Sequence, residues 1–350
     1  MSDPAIDLAW IAACFGRDPH SLEAAEWNAI GTGQVAASYR GKLHWHDDAQ
    51  SGDGDLPATI VVKAPSENPV SRSVGHSMHL YARELHWYGT LRGRSKINCP
   101  ASFGQRFNPQ DSDFLLGLAD CVGASQGDQI NGAKADDVAA AITELAHLHA
   151  AFFNDPAIAS DPLTQKNLDS ARQSAAMYAQ FWPEFAKRYA GRIDAELLQV
   201  GADLVPKIEN LLCRESEMFT LGHGDFRLDN LLFPATGGRV FVLDWQTIGQ
   251  QCPMVDLAYL IGTSFADPHE RQMHEAALLA QYFDALRAAG TAFDEAVLRH
   301  EYKLRALTGI VMAVASSMLV ERTQRGDEMF AMMFERPARH ALEAGSIALL

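Results

Sequence analysis

Three oxygen-bearing side chains between Leu221 and Asp256 stand at a spacing suited to metal-assisted chemistry. Asp225 follows His223 and Gly224, Asn230 lies five residues beyond it, and Asp244 ends the apolar run Val240 to Leu243, just before Trp245. Between them, Leu231-Leu232-Phe233 meets a turn cluster from Pro234 to Gly238. Two short apolar runs around a Gly-containing turn read as a β-hairpin. With its midpoint near Gly237, Asn230 and Asp244 face each other across the strands, beside the loop that holds Asp225. Carboxylate and amide oxygens suit a hard cation, and Mg²⁺ usually takes one or two of them together with phosphate oxygens. Asp225 stands apart and can accept a proton from an attacking hydroxyl. Any one of these residues alone is an ordinary capping residue; the ordered set carries the reading.

The run H-G-D-F-R-L-D-N-L-L-F, His223 to Phe233, followed by V-L-D-W-Q, Val242 to Gln246, resembles the aminoglycoside phosphotransferase and choline-kinase-like family of small-molecule kinases. The order of Asp, Asn and strand-ending Asp is that of the kinase catalytic loop and metal aspartate. Gly224 where protein kinases carry Arg, and Asp244-Trp245 where they carry Asp-Phe-Gly, resemble the small-molecule branch. The resemblance covers most of the chain. It implies an α+β, bilobal protein-kinase-like fold, with a small antiparallel-sheet N-lobe over residues 1–120 and a larger, mainly helical C-lobe over 121–350. It implies Asp225 as the catalytic group that orients or deprotonates the acceptor, with Arg227 neutralising charge or pairing with a nearby carboxylate. Asn230 and Asp244 become metal ligands for Mg²⁺ with ATP, GTP being compatible as well.

The elements that must position these residues can be followed along the chain. Residues 5–14 have helical composition. Leu22 to Ile30 and Gln34 to Trp45 read as strands around Gly31-Thr32-Gly33. A glycine-rich hairpin lets backbone N–H groups approach phosphates, which makes Gly31 and Gly33 candidate nucleotide contacts, although the third glycine of the protein-kinase loop is missing. Asp47, Asp48, Asp53 and Asp55 fall in the stretch His46 to Pro57, a solvated hairpin tip rather than a calcium loop, since the EF-hand order is absent. Thr59 to Val62 is a β-branched run ending on Lys63. In isolation that lysine is a solvent-facing terminator; by resemblance it is the third-strand lysine that pairs nucleotide phosphates. Pro69 to Arg92 reads as helical, with Met78, Tyr81, Leu85 and Tyr88 on one apolar face. Glu84 sits on its margin, a candidate partner for Lys63. Phe114 to Leu118 is a strand running into Ala119-Asp120. By resemblance this is the hinge, where relatives commonly carry Glu-Asp, and Ala119 leaves base preference open.

From Ala135 onward the pattern is helical, with no strand expected beyond the central hairpin. Val138, Ile142, Leu145, His149 and Phe152 share one face, with His149 read as a buried structural histidine. Helices are expected at 167–189, 194–214, 268–289, 294–323 and 327–348. A short helix from Met254 to Thr263 opens near Asp256, which by resemblance braces the catalytic loop.

Bulk properties narrow the partners. A chain of 350 residues accommodates two lobes. A net charge of −15 argues against a nucleic-acid partner. Five scattered cysteines without metal spacing read as reduced, mostly buried thiols of a cytoplasmic protein. No basic region precedes an apolar core near the N-terminus, and the run Leu307 to Val320 is too short to span a bilayer. The leading reading is an ATP-dependent phosphotransferase acting on a hydroxyl of a small molecule. A protein kinase is disfavoured because Asp244 to Asp256 leaves no room for an activation segment; a catalytically inactive nucleotide- or ligand-binding module is the alternative. The acceptor is expected to be a compact alcohol, neutral or cationic. Trp182 or Trp245 is a candidate to stack on a quaternary ammonium, against core packing as the ordinary role, and Arg322 or Arg325 is a local counterweight to the acidic balance.

Overall fold

The computed structural model describes residues 6–31, 35–46, 56–320 and 322–350. Gly33 and the acidic stretch Asp47 to Asp55 lie outside the described residues. The chain divides into two compact units, one of residues 1–93 and 99–123, the other of residues 94–98 and 124–350.

In the first unit, α1 (Leu8–Cys14), capped by Asp7, precedes strands β1 (Leu22–Ile30), β2 (Ala36–Trp45) and β3 (Thr59–Pro65). Helices α2 (Pro69–Ser77) and α3 (Leu80–His86) follow, then β4 (Ser102–Asn108) and β5 (Asp113–Leu118). The strands form an antiparallel sheet in the order β1-β2-β3-β5-β4. Period-two alternation sorts its side chains. Ile60, Val62 and Leu115 join Ile11 and Ala12 of α1 in one apolar cluster, while Phe114, Leu116 and Leu118 join Tyr81 and Leu85 of α3 in another. Lys63 has the parity of Val61, which packs on the α3 cluster, so the strand itself sends the lysine toward α3.

The single helix expected from Pro69 to Arg92 is broken. Asn68 caps α2, and His79 adopts a left-handed backbone (φ 55°) before α3 begins. A π-helical turn, Trp87–Leu91, follows α3. The break shifts the helical phase, which leaves Met78 46% exposed and brings Glu84 wholly inside rather than to the margin.

The second unit contains β6 (Ala124–Gln126), α4 (Ala135–Ala151), α5 (Pro156–Ser160), α6 (Leu168–Tyr189), α7 (Ala195–Leu204), α8 (Ile208–Leu212) and β7 (Thr220–Gly222). It continues with β8 (Leu231–Pro234), β9 (Phe241–Val242), β10 (Gly249–Gln251), α9 (Met254–Ser264), α10 (Pro268–Ala288), α11 (Glu295–Arg305), α12 (Thr308–Leu319) and α13 (Gln324–Ala344). The expected span 294–323 is two helices, α11 and α12, and 194–214 is interrupted by a 3₁₀ turn at Val205–Lys207. The strands β7 and β10 correct the expectation that none lay beyond the hairpin. Three residues each, Thr-Leu-Gly and Gly-Gln-Gln, are too short to show an alternating pattern.

Trp182 is stacked with Tyr178, Phe185 and Phe334 in the helical core. Trp245 is fully buried against the His223 ring. Both are core residues. The cysteines carry free thiols, but only Cys99 and Cys252 are buried; Cys14, Cys121 and Cys213 are partly exposed, which corrects the expectation of mostly buried thiols. Among the described residues no helix is long and apolar enough to cross a membrane.

Candidate active site

The hairpin β8–β9 pairs Leu231 with Val242 and Leu232 with Phe241. Asn230 O accepts the backbone N–H of Leu243 at 2.9 Å. Asn230 therefore lies opposite Leu243, one residue short of the expected pairing with Asp244. The turn is centred between Thr236 and Gly237, half a residue earlier than assumed. Asp244 leaves the ladder in a left-handed conformation, φ 66° and ψ 68°, a region Asp tolerates better than most side chains.

The strand pair that the sequence did not reveal brings the two halves of the motif together. Gly222 at the end of β7 pairs with Gly249 at the start of β10. His223-Gly224-Asp225 thus emerges alongside Asp244 to Thr247. Thr247 Oγ1 donates to His223 O at 2.8 Å. His223 Nε2 donates to Leu243 O at 2.9 Å, which leaves Nδ1 to accept the Asp225 N–H at 3.3 Å. One buried imidazole thereby ties the Asp225 loop to the residue before Asp244.

Asp256, at the start of α9, is fully buried and accepts the N–H groups of His223 at 2.7 Å and Gly224 at 2.9 Å. His149 Nε2 lies 3.2 Å from the same carboxylate, and its Nδ1 lies 2.7 Å from the Tyr282 hydroxyl. Burial would push Asp256 up, but the hydrogen bond from His149 and the donors around it hold it below the ordinary carboxylate range. His149 and Asp256 fix the backbone at the root of the loop.

Around Asp225 the contacts are dense. Arg227 Nε donates to its two oxygens at 3.1 and 3.3 Å, Asn230 Nδ2 to Oδ2 at 2.8 Å, and the Tyr259 hydroxyl to Oδ1 at 3.2 Å. Burial raises the Asp225 pKa; Arg227 pulls it down and the negative Asp244 pushes it up, leaving it above the ordinary value. Arg227 is shared, because its NH1 also donates to Asp229 at 2.6 Å. These carboxylates outweigh burial and hold the guanidinium firmly charged.

Asn230 Nδ2 is turned to Asp225, to both O and Oδ2 at 2.8 Å, so the amide oxygen is the group it can offer a cation. Gln246 Nε2 donates to Asp244 Oδ2 at 3.0 Å. One amide oxygen and one carboxylate, near a second carboxylate, fit Mg²⁺, which completes its shell with water and phosphate. Among the described residues no group of three or more His, Cys, Asp or Glu side chains forms a metal cage.

In the first unit, Lys63 Nζ donates to Glu84 Oε1 at 2.6 Å, with Lys63 9% and Glu84 0% exposed. Gly31 has a positive φ of 71°. Asp120 is engaged by Arg40 at 2.9 Å, and Ala119 N–H donates to Ala101 O at 2.8 Å. Sequence reading missed Tyr259, which lies outside the local motif and which helical spacing marks only as core.

Residues 69–294 match the phosphotransferase enzyme family. The chain belongs to that family. Its fold is shared with a choline kinase from Cryptosporidium parvum Iowa II, at 11% identity over 93% of this chain and 91% of that one, TM-score 0.57. A proposed aminoglycoside phosphotransferase from Ralstonia eutropha JMP134 aligns at 14% identity over 96% and 98% of the two chains, TM-score 0.54. A microcompartment-associated aminopropanol kinase aligns at 13% identity over 97% and 100%, TM-score 0.54. No curated protein matches the chain. The chain is, in general terms, a small-molecule phosphotransferase with a kinase-like α+β fold.

Proposed function

We propose that the chain transfers the γ-phosphoryl group of ATP, with Mg²⁺, to the hydroxyl of a compact alcohol, neutral or cationic. The observation that carries this reading is the Asp225 carboxylate, held by Arg227, Asn230 and Tyr259 beside the Asp244 segment. A carboxylate raised above its ordinary pKa by burial is a better proton acceptor for a hydroxyl than a solvated one. Asp225 orients the acceptor and takes its proton. Asn230 and Asp244 are the metal ligands, and the ion supplies charge neutralisation on the transferring phosphoryl group. Lys63, oriented by Glu84, pairs with nucleotide phosphates, and the backbone at Gly31 covers them. Arg227 holds Asp225 in place rather than reaching outward, since its ion pairs are to carboxylates of its own loop.

The local balance supports a neutral or cationic acceptor. Three carboxylates, Asp225, Asp229 and Asp244, belong to the loop and hairpin, where Arg227 pairs with the first two, and Arg322, offered as a counterweight, is taken by Asp327 at 2.7 Å. Fold relatives that act on choline and aminopropanol support the same class. With Trp182 and Trp245 buried, recognition of a cation would rest on carboxylates rather than on either indole. The test is ADP release from Mg-ATP across a panel of cationic, neutral and anionic alcohols at low and high salt, with Mg-ATP and Mg-GTP binding followed by calorimetry. Amino alcohols or neutral diols should turn over. Absence of heat with millimolar nucleotide would overturn the kinase reading, and preference for anionic acceptors would overturn the acceptor class alone.

A further inference from the structure

Behind the Asp225 loop lies a second layer of contacts with no counterpart in the motif. Gln129 is 1% exposed and makes two hydrogen bonds to the loop and a third to α9. Its backbone N–H donates to Asp229 Oδ1 at 3.0 Å, its Oε1 accepts the Leu228 N–H at 3.0 Å, and its Nε2 donates to Thr263 O at 2.9 Å. Gln126 Nε2 adds a bond to Asp229 O at 2.5 Å. A β-carbon on Gly127 would fall 2.5 Å from Leu228 O, so the segment lies directly against the loop backbone.

This segment is fastened in turn by the last long helix. Arg336, on α13, donates through NH1 to Gln129 O at 2.9 Å and Thr263 O at 2.8 Å, and through NH2 to Ile130 O at 2.9 Å. A planar guanidinium reaches the three carbonyls from two separated nitrogens in fixed directions, a spread that a lysine's single nitrogen does not reproduce. Burial lowers Arg336 to about 10, which leaves it charged at neutral pH.

We propose that Gln129 is a positioning residue for phosphoryl transfer, held by Arg336 and acting through Asp229 and Arg227 on the Asp225 carboxylate. The route is continuous. The Gln129 side chain, bonded to the Leu228 N–H and to Thr263 O, sets its own backbone N–H on one oxygen of Asp229; Arg227 takes the other at 2.6 Å, and the same guanidinium sets Asp225. Asp229 is thus the part of the motif that links the reacting carboxylate to the helical core. Since transfer requires the acceptor oxygen in line and within hydrogen-bond reach, a small displacement of Asp225 lowers turnover without touching the nucleotide. The proposal rests on the reading of Asp225 given above.

The test uses the full chain with Gln129→Met, an unbranched apolar replacement, and Arg336→Lys, which keeps the charge but not the fork. Amide hydrogen exchange is followed in a peptide spanning 223–232 and, as control, in α4. The loop should exchange about tenfold faster in both variants, as expected for about one net hydrogen bond lost, while α4 keeps its wild-type protection. With ethanolamine as acceptor, or water if it is not accepted, kcat for ADP release should fall about tenfold and KM for Mg-ATP should stay within about twofold. Unchanged loop exchange, or equal acceleration in α4, overturns the proposal. So does an unchanged kcat in Gln129→Met beside a large loss in Asp225→Asn. Full activity in Asp225→Asn would instead sink the functional reading, and the exchange data would still decide whether Gln129 and Arg336 hold the loop.

Discussion

The backbone oxygen of Thr247 lies 2.4 Å from where a β-carbon on Gly224 would stand. Gly224 also has a φ of +84°, a conformation costly for any L side chain. The two constraints have one origin, the close crossing of the chain before Asp225 and the chain after Asp244. Gly224→Ala should destabilise the protein by roughly 2–4 kcal/mol and reduce turnover sharply, as seen by urea unfolding and ADP release. A variant of wild-type stability and rate would show that this crossing is not needed.

Asp225 and Asp244 should separate by phenotype. Asp225→Asn preserves shape and removes the base, so turnover should fall on the order of 10²- to 10⁴-fold with nucleotide affinity retained. Asp244→Asn should weaken Mg²⁺ dependence and nucleotide affinity together, read by calorimetry at varied Mg²⁺. If both variants lose affinity equally, the division of roles is wrong.

Lys63 and Glu84 are a buried ion pair at 2.6 Å, and removing one partner breaks it in a site with little access to water. Lys63→Met should cost roughly 3–5 kcal/mol of stability and weaken the thermal shift caused by Mg-ATP. Glu84→Gln, which keeps an oxygen acceptor for the ammonium, should cost less. Nucleotide binding that survives Lys63→Met in a folded protein would remove Lys63 from the phosphate site.

Acid stability should depend on Glu275. Against the effect of burial, hydrogen bonds from His340 at 2.9 Å and Tyr302 at 2.7 Å, with Arg271 at 2.6 Å, hold its carboxyl down to about 2 from an ordinary 4.5. A depressed carboxylate contributes stability that is present above 4.5 and lost as pH falls toward 2. Burial also holds His340 below its ordinary 6.5, so acidification below that value acts in the same direction. Urea unfolding between pH 7 and 2.5 should show a stability loss that is shallower below pH 4.5 in Glu275→Gln. Parallel slopes in the two proteins would contradict this.

The local chemistry was written in the sequence. Asp225, Asn230 and Asp244 occur in one stretch, and the hairpin that carries two of them needs only short-range turn geometry and apolar runs. The strand ending on Lys63 was legible for the same reason, since β-branched residues and period-two parity act over a few positions. What the tertiary structure decided depends on contacts between distant segments. Glu84 is buried because the left-handed His79 shifts the helical phase, and no spacing rule reports that break in advance. The pairing of β7 with β10 comes from six mostly small or polar residues that carry no periodicity, yet it sets Asp225 beside the Asp244 segment. Gln129 and Arg336 are separated from the loop by about a hundred residues of chain. Their roles arise because buried N–H and C=O groups must find partners wherever the fold supplies them, and sequence alone does not say where that is.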